Sequence, residues 1–193
     1  MFAELLRERL GSVIELSPLQ IQLLEKHFEL LNRWNQVLNL TSIRKPGEIV
    51  ERHYCESLFL ATRLPPGALR VGDIGSGAGF PGIPLAIAKP DCSVALIESH
   101  QKKGVFLSEA SRELANVKVL AQRAEHITEK FDWVTSRAVR FAEIERVAAT
   151  LAPNVAILAG TEPPNDTCFT WNNPIAVPWG DKRKLWLGTL RST

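Results

Sequence analysis

The chain has 193 residues, 23 basic and 21 acidic side chains, a formal net charge of +2 and 45 % hydrophobic residues. That is the composition of an ordinary globular protein, and the length suits one domain with an appendage. No apolar run approaches the roughly 20 residues needed to span a membrane, and the mixed-charge start, Met1 to Arg9, lacks a signal-peptide layout. Cys55, Cys92 and Cys168 are odd in number and scattered. They form neither a metal-ligand spacing nor a disulfide framework, which favours a reducing cytoplasm. A charge of +2 does not argue for nucleic acid, so any RNA contact must come from local basic patches.

Residues 1–64 read as a helical extension. Phe2, Leu5, Leu6 and Leu10 recur at helical spacing, with Gly11 placed to end that helix. Ser17-Pro18-Leu19-Gln20 reads as a helix start, with Ser17 as N-cap, Pro18 in the first turn and Gln20 closing a capping box. Leu24, Phe28, Leu31, Trp34 and Leu38 continue it as one apolar stripe. After Pro46-Gly47, the residues Ile49, Val50, His53, Leu58 and Leu60 predict a third helix, and Pro65-Pro66-Gly67 reads as a linker.

From residue 65 to 193 the text alternates. Strands are expected at Leu69–Ile74, Ser93–Glu98, Val117–Ala121, Trp133–Ser136 and Val155–Ala159, and helices at Pro81–Ala88, Lys102–Leu114 and Phe141–Leu151. Such alternation predicts a parallel sheet with helices on both faces. The stretch from Asn165 on differs: Phe169 and Trp171, then Leu185 to Leu190, read as two strands joined through Pro178-Trp179-Gly180-Asp181, an antiparallel pair.

Between the first of these strands and its helix lies Asp73-Ile74-Gly75-Ser76-Gly77-Ala78-Gly79. A strand, a glycine turn and a helix let backbone approach a nucleotide-like ligand. The dinucleotide fingerprint would need a glycine at position 80, where Phe80 stands. The pattern D-x-G-x-G-x-G instead resembles the first motif of class I S-adenosylmethionine-dependent methyltransferases. That cofactor has no pyrophosphate and carries a cationic sulfonium, which suits an acid such as Asp73. The bland alternative is a glycine turn that only packs helix on strand.

Glu98 ends the second strand, where nucleotide-binding sheets place an acid on ribose hydroxyls; a helix cap is the competing role. Ala124-Glu125 follows the third strand, where a loop of this fold class reaches adenine; Glu125 also suits a helix start. Ser136-Arg137-Ala138 ends the fourth strand. It is neither the Asp/Asn-Pro-Pro-aromatic run of exocyclic-amine methylation nor a nucleophilic cysteine. Arg137, with Arg140 a helical turn on, can hold a carboxylate or phosphate, or simply be exposed. Asn39-Leu40-Thr41-Ser42 with Arg44, Lys45, Arg52 and His53 can touch phosphates, or be a solvated loop beside a core histidine. Lys102-Lys103 and Lys182-Arg183-Lys184 read as solvated clusters.

Three segments carry a more specific resemblance: Trp34-Asn35-Gln36-Val37-Leu38-Asn39-Leu40-Thr41; Arg52-His53 with Glu56-Ser57-Leu58; and the glycine motif extended by Phe80-Pro81-Gly82-Ile83-Pro84-Leu85. With Leu96-Ile97-Glu98-Ser99, Lys102-Lys103, Phe106-Leu107, Arg123-Ala124-Glu125, Asp132 and Ser136-Arg137-Ala138, they resemble the bacterial glucose-inhibited division protein B (GidB, RsmG) family. These are 16S ribosomal RNA guanine-N7 methyltransferases, and the resemblance covers about residues 20–160. It implies an α/β fold of the class I methyltransferase type: a Rossmann-like, mostly parallel seven-stranded sheet preceded by the helical extension.

It also implies S-adenosyl-L-methionine as cofactor, contacted by Gly75, Phe80, Ala124, Glu125 and Arg137 with Glu98 on the ribose; Asp73, Gly77 and Gly79 join them from the glycine motif. The implied partner is 16S RNA in the small ribosomal subunit; from their charge and position Arg44, Lys45, Arg52 and Arg140 are expected to hold it, and no membrane, no metal and a monomeric state are expected. One departure is Leu158-Ala159-Gly160, where the family often has Leu-Lys-Gly. Guanine N7 is a lone pair with no proton to lose, so no general base is expected and orientation carries the chemistry. Two other classes stay open: a small-molecule methyltransferase and a non-catalytic RNA- or nucleotide-binding module.

Overall fold

The computed structural model describes residues 1–137, 139–162, 168–180 and 182–191. The N-terminal segment forms α1 (Phe2–Leu10), α2 (Pro18–Trp34), α3 (Pro46–Ile49) and α4 (Glu56–Arg63). Gly11 ends α1 with φ of 52°, a conformation glycine adopts without a Cβ clash. At α2 the capping box is complete: Ser17 Oγ accepts from Gln20 N, and Gln20 Oε1 accepts from Ser17 N.

Two local expectations change. Helix α2 stops at Trp34, because Asn35 turns its side chain onto the following loop: Oδ1 accepts from Leu40 N and Thr41 N, and Nδ2 donates to Thr41 O. Leu38 therefore packs from a loop. The third helix is one rod from Pro46 to Arg63, but its middle turn, Val50–Cys55, is π-helical. Such widened turns recur at functional sites, and this one carries Arg52 and His53.

The rest alternates as expected: β1 (Arg70–Ile74), α5 (Gly82–Ala88), β2 (Ser93–Ile97), α6 (Gln101–Ala110), β3 (Val117–Leu120), β4 (Trp133–Arg137), α7 (Phe141–Leu151) and β5 (Asn154–Ala159). Helix α6 ends four residues short of the expected Leu114; Ser111 Oγ turns back onto Leu107 O. The C-terminal strands are β6 (Phe169–Trp171), β7 (Ile175–Ala176) and β8 (Lys184–Leu190). Among the described residues the sheet thus has eight strands rather than seven. Both β6 and the two-residue β7 pair antiparallel with β8, at opposite ends of it. The expected turn residue Asp181, and Asn165, lie outside the described residues, as does Ala138.

The strand order is β3-β2-β1-β4-β5-β8-β6, with β1 to β5 parallel and β8 antiparallel to β5. Alternate residues feed two cores. Val94 and Leu96 join α1, α2, α4, α5 and α6 on one face, while Ala95 and Ile97 join α7 on the other. The helical extension is a second layer on the first face: Leu24, Leu31 and Tyr54 share one core with Val71, Phe80 and Ile83. The sheet order reverses between β1 and β4, and the carboxyl ends of those strands open a crevice.

Candidate functional site

A cleft of about 800 Å³ lies at that reversal. Gly75, Gly77, Phe80, Glu98, Ala124, Glu125, Arg137 and Arg52 line it, all expected site residues. Asp73, Gly79, Arg44, Lys45 and Arg140 do not.

The glycine turn explains part of this division. Asp73 is fully buried behind it. Its Oδ2 accepts from Gly82 N at the start of α5, and its Oδ1 from Thr135 Oγ1. Burial pushes its carboxyl up to about 7 against hydrogen bonds from Ser76, Gly82 and Thr135. The expectation of Asp73 facing the cofactor is corrected: it caps the helix from inside. Gly79 likewise faces the core, where an added Cβ would come within 2.5 Å of Ile83. Gly75 (φ 72°) and Gly77 (φ 56°) sit on the cleft side.

Five of the turn's amides are spent internally. Gly75 N and Ser76 N donate to Ile97 O, Gly79 N and Phe80 N to Ser76 O, and Gly77 N to Glu98 Oε2 at 2.9 Å. Glu98 Oε1 also accepts from His100 N. Two of the four or so lone-pair sites of this carboxylate remain for hydroxyl donors.

At the other end of the cleft the helical extension meets β4. His53 Nε2 donates to Thr41 Oγ1 at 2.7 Å, and its Nδ1 accepts from Arg137. A guanidinium only donates, so this imidazole is neutral. Burial and the Arg137 charge hold its pKa down, to about 2. The ring stacks on Phe80, centroids 4.7 Å apart. Behind it, Glu56 Oε2 lies 3.7 Å from Arg137 Nε and 3.2 Å from Arg183 Nε. Arg137 is 8 % exposed and Glu56 is 2 %. Burial raises the Glu56 pKa while Arg137 and Arg183 oppose the rise; burial lowers that of Arg137 to about 10.

Glu56 and Arg183 were not among the expected site residues, and Thr41 and His53 were named only within the stretch that can touch phosphates or be a solvated loop beside a core histidine. His53 and Glu56 stand in a segment that carries the family resemblance, which was a usable signal. Arg183 reads from sequence as one of three solvated cations, and nothing local marks it as the partner of Glu56. Of the expected RNA-binding side chains, Arg52 lines the cleft. Arg44 ties down the rim loop through Asn35 O and Asn39 Oδ1. Lys45 and Arg140 are exposed beside the rim, each paired three residues on with a glutamate. Among the described residues no group of three or more His, Cys, Asp or Glu is placed to hold a metal. No described helix is long and apolar enough to cross a membrane.

Known proteins similar to this one in sequence or in fold are numerous. Residues 20–159 match the GidB family, described as rRNA small subunit methyltransferase G. A ribosomal RNA small subunit methyltransferase G from Laribacter hongkongensis is 37 % identical over 186 residues, 89 % of each chain. The one from Chromobacterium violaceum is 44 % identical over 146 residues, 74 % of this chain and 68 % of that protein. Several relatives are spanned for less than two thirds of their length, such as the Dichelobacter nodosus protein at 61 %. In fold, a SAM-dependent methyltransferase from Aquifex aeolicus superposes with a TM-score of 0.59 at 16 % identity, over 79 % of this chain and 97 % of that one. With a mostly parallel sheet that reverses at the glycine turn, and with that sequence match, the chain belongs to the GidB family of small-subunit ribosomal RNA methyltransferases.

Proposed function

We propose that the protein transfers a methyl group from S-adenosyl-L-methionine to N7 of a guanine in 16S ribosomal RNA, acting in the cytoplasm on the small ribosomal subunit or its RNA. The observation that carries the cofactor class is the capped helix. A dinucleotide's pyrophosphate sits on the free amides of the helix N-terminus. Here Asp73 already takes the Gly82 amide, and the amides of Gly75, Ser76, Gly77, Gly79 and Phe80 are taken within the turn and by Glu98. At this end the cleft presents the glycine positions of the turn and the Glu98 carboxylate, which fits a ribose and a neutral thioether or cationic sulfonium linkage.

The cofactor supplies an electrophilic methyl group when bound. Glu98 offers acceptors to ribose hydroxyls, and Ala124 and Glu125 edge the cleft where the adenine is expected. Phe80, braced by His53, fixes the wall near the reacting end. The His53 lone pair is taken by Arg137, so this imidazole is not free to act as a base, and guanine N7, a lone pair with no proton to lose, needs none. Catalysis then rests on orientation. Arg52, Lys103, Arg123, Arg137 and Arg183 give the lining a cationic excess over Glu98, Glu125 and Glu143, which suits a polyanion.

The test combines calorimetry and methyl transfer. Adenosylhomocysteine should bind and NAD should not. Small-subunit RNA from a strain lacking the homologous enzyme should accept labelled methyl at guanine N7. Binding of NAD in preference, or methyl transfer to neither RNA nor particle, would sink the proposal.

For the RNA path, the reading places Lys45 and Arg140 as phosphate contacts on the rim. Arg44 is a poorer probe, since its loss also frees the loop. Changing Lys45→Ala and Arg140→Ala together should reduce the salt dependence of RNA binding by about 0.7 per lost contact in log–log slope, with cofactor affinity unchanged. An unaltered slope takes the rim out of the RNA path.

A further inference from the structure

The glycine turn and Glu98 belong to the sheet domain, and the helical extension reaches the cleft lining through its rim loop and His53, a division in which α2 has no part. One side chain of α2 contradicts that division. His27 Nε2 lies 3.0 Å from the carbonyl oxygen of Ala78, inside the glycine turn. A carbonyl only accepts, so Nε2 carries the proton. Nδ1 must then accept, and it does so from the Tyr54 hydroxyl at 2.8 Å. His27 is 3 % exposed and Tyr54 is fully buried. The imidazole is caged by Phe80, Tyr54 and Phe106, with ring centroids at 5.2, 5.6 and 6.0 Å. Burial holds its pKa down, at about 4, so it is neutral under working conditions.

Ala78 sits between Gly77 and Gly79, both at positive φ. Its carbonyl meets the buried imidazole of His27, and a buried carbonyl without a donor is costly. Glu98 fixes the neighbouring Gly77 amide from the cleft side. The turn is therefore gripped from both sides, and the core-side grip comes from a residue 51 positions upstream.

We propose that His27, oriented by Tyr54, is a positioning residue for the cofactor: the helical extension sets the glycine turn in its binding conformation through the Ala78 carbonyl. This rests on the reading that the turn binds adenosylmethionine.

Wild-type calorimetry with adenosylhomocysteine comes first, since its failure would overturn that underlying reading instead. Three variants then test the inference. His27→Leu keeps apolar volume and removes the donor. His27→Gln restores an N–H donor within reach of the carbonyl. Tyr54→Phe leaves Nδ1 without its donor, so the imidazole can present a lone pair to Ala78. Affinity should fall about tenfold or more in His27→Leu, less in Tyr54→Phe, and stay within about threefold in His27→Gln. In turnover, the KM for adenosylmethionine should rise while kcat and the RNA KM hold. A purely structural role would lower the melting temperature of both His27 variants and leave their cofactor affinities alike. Equal affinity in the Leu and Gln variants overturns the proposal. If His27→Leu does not fold, wild-type affinity in Tyr54→Phe overturns it.

Discussion

Replacing Glu56 by alanine should destabilise the folded protein by about 3–5 kcal/mol, the range for removing one member of a buried charge cluster. Glu56 opens α4, where alanine is at least as good a helix former. Local propensity therefore contributes nothing to the loss. The cost comes from what is left behind. Arg137 and Arg183 have side chains 7 % and 22 % exposed, and Glu56 is the carboxylate between them. Without it, two guanidiniums face each other across a small cavity, with the neutral His53 unable to compensate. Glu56→Gln keeps the volume and one acceptor but loses the charge, and should fall between. Urea unfolding of the three proteins measures this. A loss below about 1 kcal/mol for the alanine variant, the size of a surface pair, would mean that the cluster is solvated in solution. Because Arg137 also lines the cleft, the same variant should weaken cofactor binding even where it stays folded.

Gly77→Val should remove measurable cofactor binding, at least about a hundredfold, while the fold survives. Two terms act in different places. The residue has φ of 56°, which a β-branched side chain adopts only with strain of about 1–3 kcal/mol. That term falls on stability. The second falls on the ligand. A Cβ built on Gly77 meets only the Gly75 carbonyl oxygen, at 3.7 Å, so the valine methyls extend into the cleft that Gly77 lines. Gly79→Ala is the contrasting variant. Its Cβ would collide with Ile83 and approach His27 Nε2 at 3.2 Å, so it should lose stability through the core. Calorimetry with adenosylhomocysteine, with circular dichroism as the check on folding, separates the two. Normal affinity in a folded Gly77→Val protein would contradict the assignment of this turn as the cofactor cradle.

Much of the architecture is determined by the sequence alone, because the determinants are local. The capping box at Ser17 and Gln20, the stop at Gly11, the alternating short apolar strand runs and helical stretches from β1 to β5, and the glycines of the turn act over a few residues. Family membership follows from the same short segments. What only the tertiary structure decided depends on partners far apart in the chain. Asp73 reads as an acid at a strand end, yet Thr135, 62 residues away, and the α5 amide enclose it and make it a cap. Arg137 reads as a cation for a carboxylate or phosphate of a ligand, yet His53, 84 residues upstream, and Glu56 of the chain itself bury it. Arg183 reads as one lysine-like charge among three, and β8 brings it to the same carboxylate. His27 is not singled out by any pattern in the sequence, and the packing of α2 against α5 sets it on the Ala78 carbonyl. A side chain's charge state and role follow from its desolvation and its donors and acceptors, and periodicity along the chain encodes which face a residue occupies, but not which distant group it will meet there.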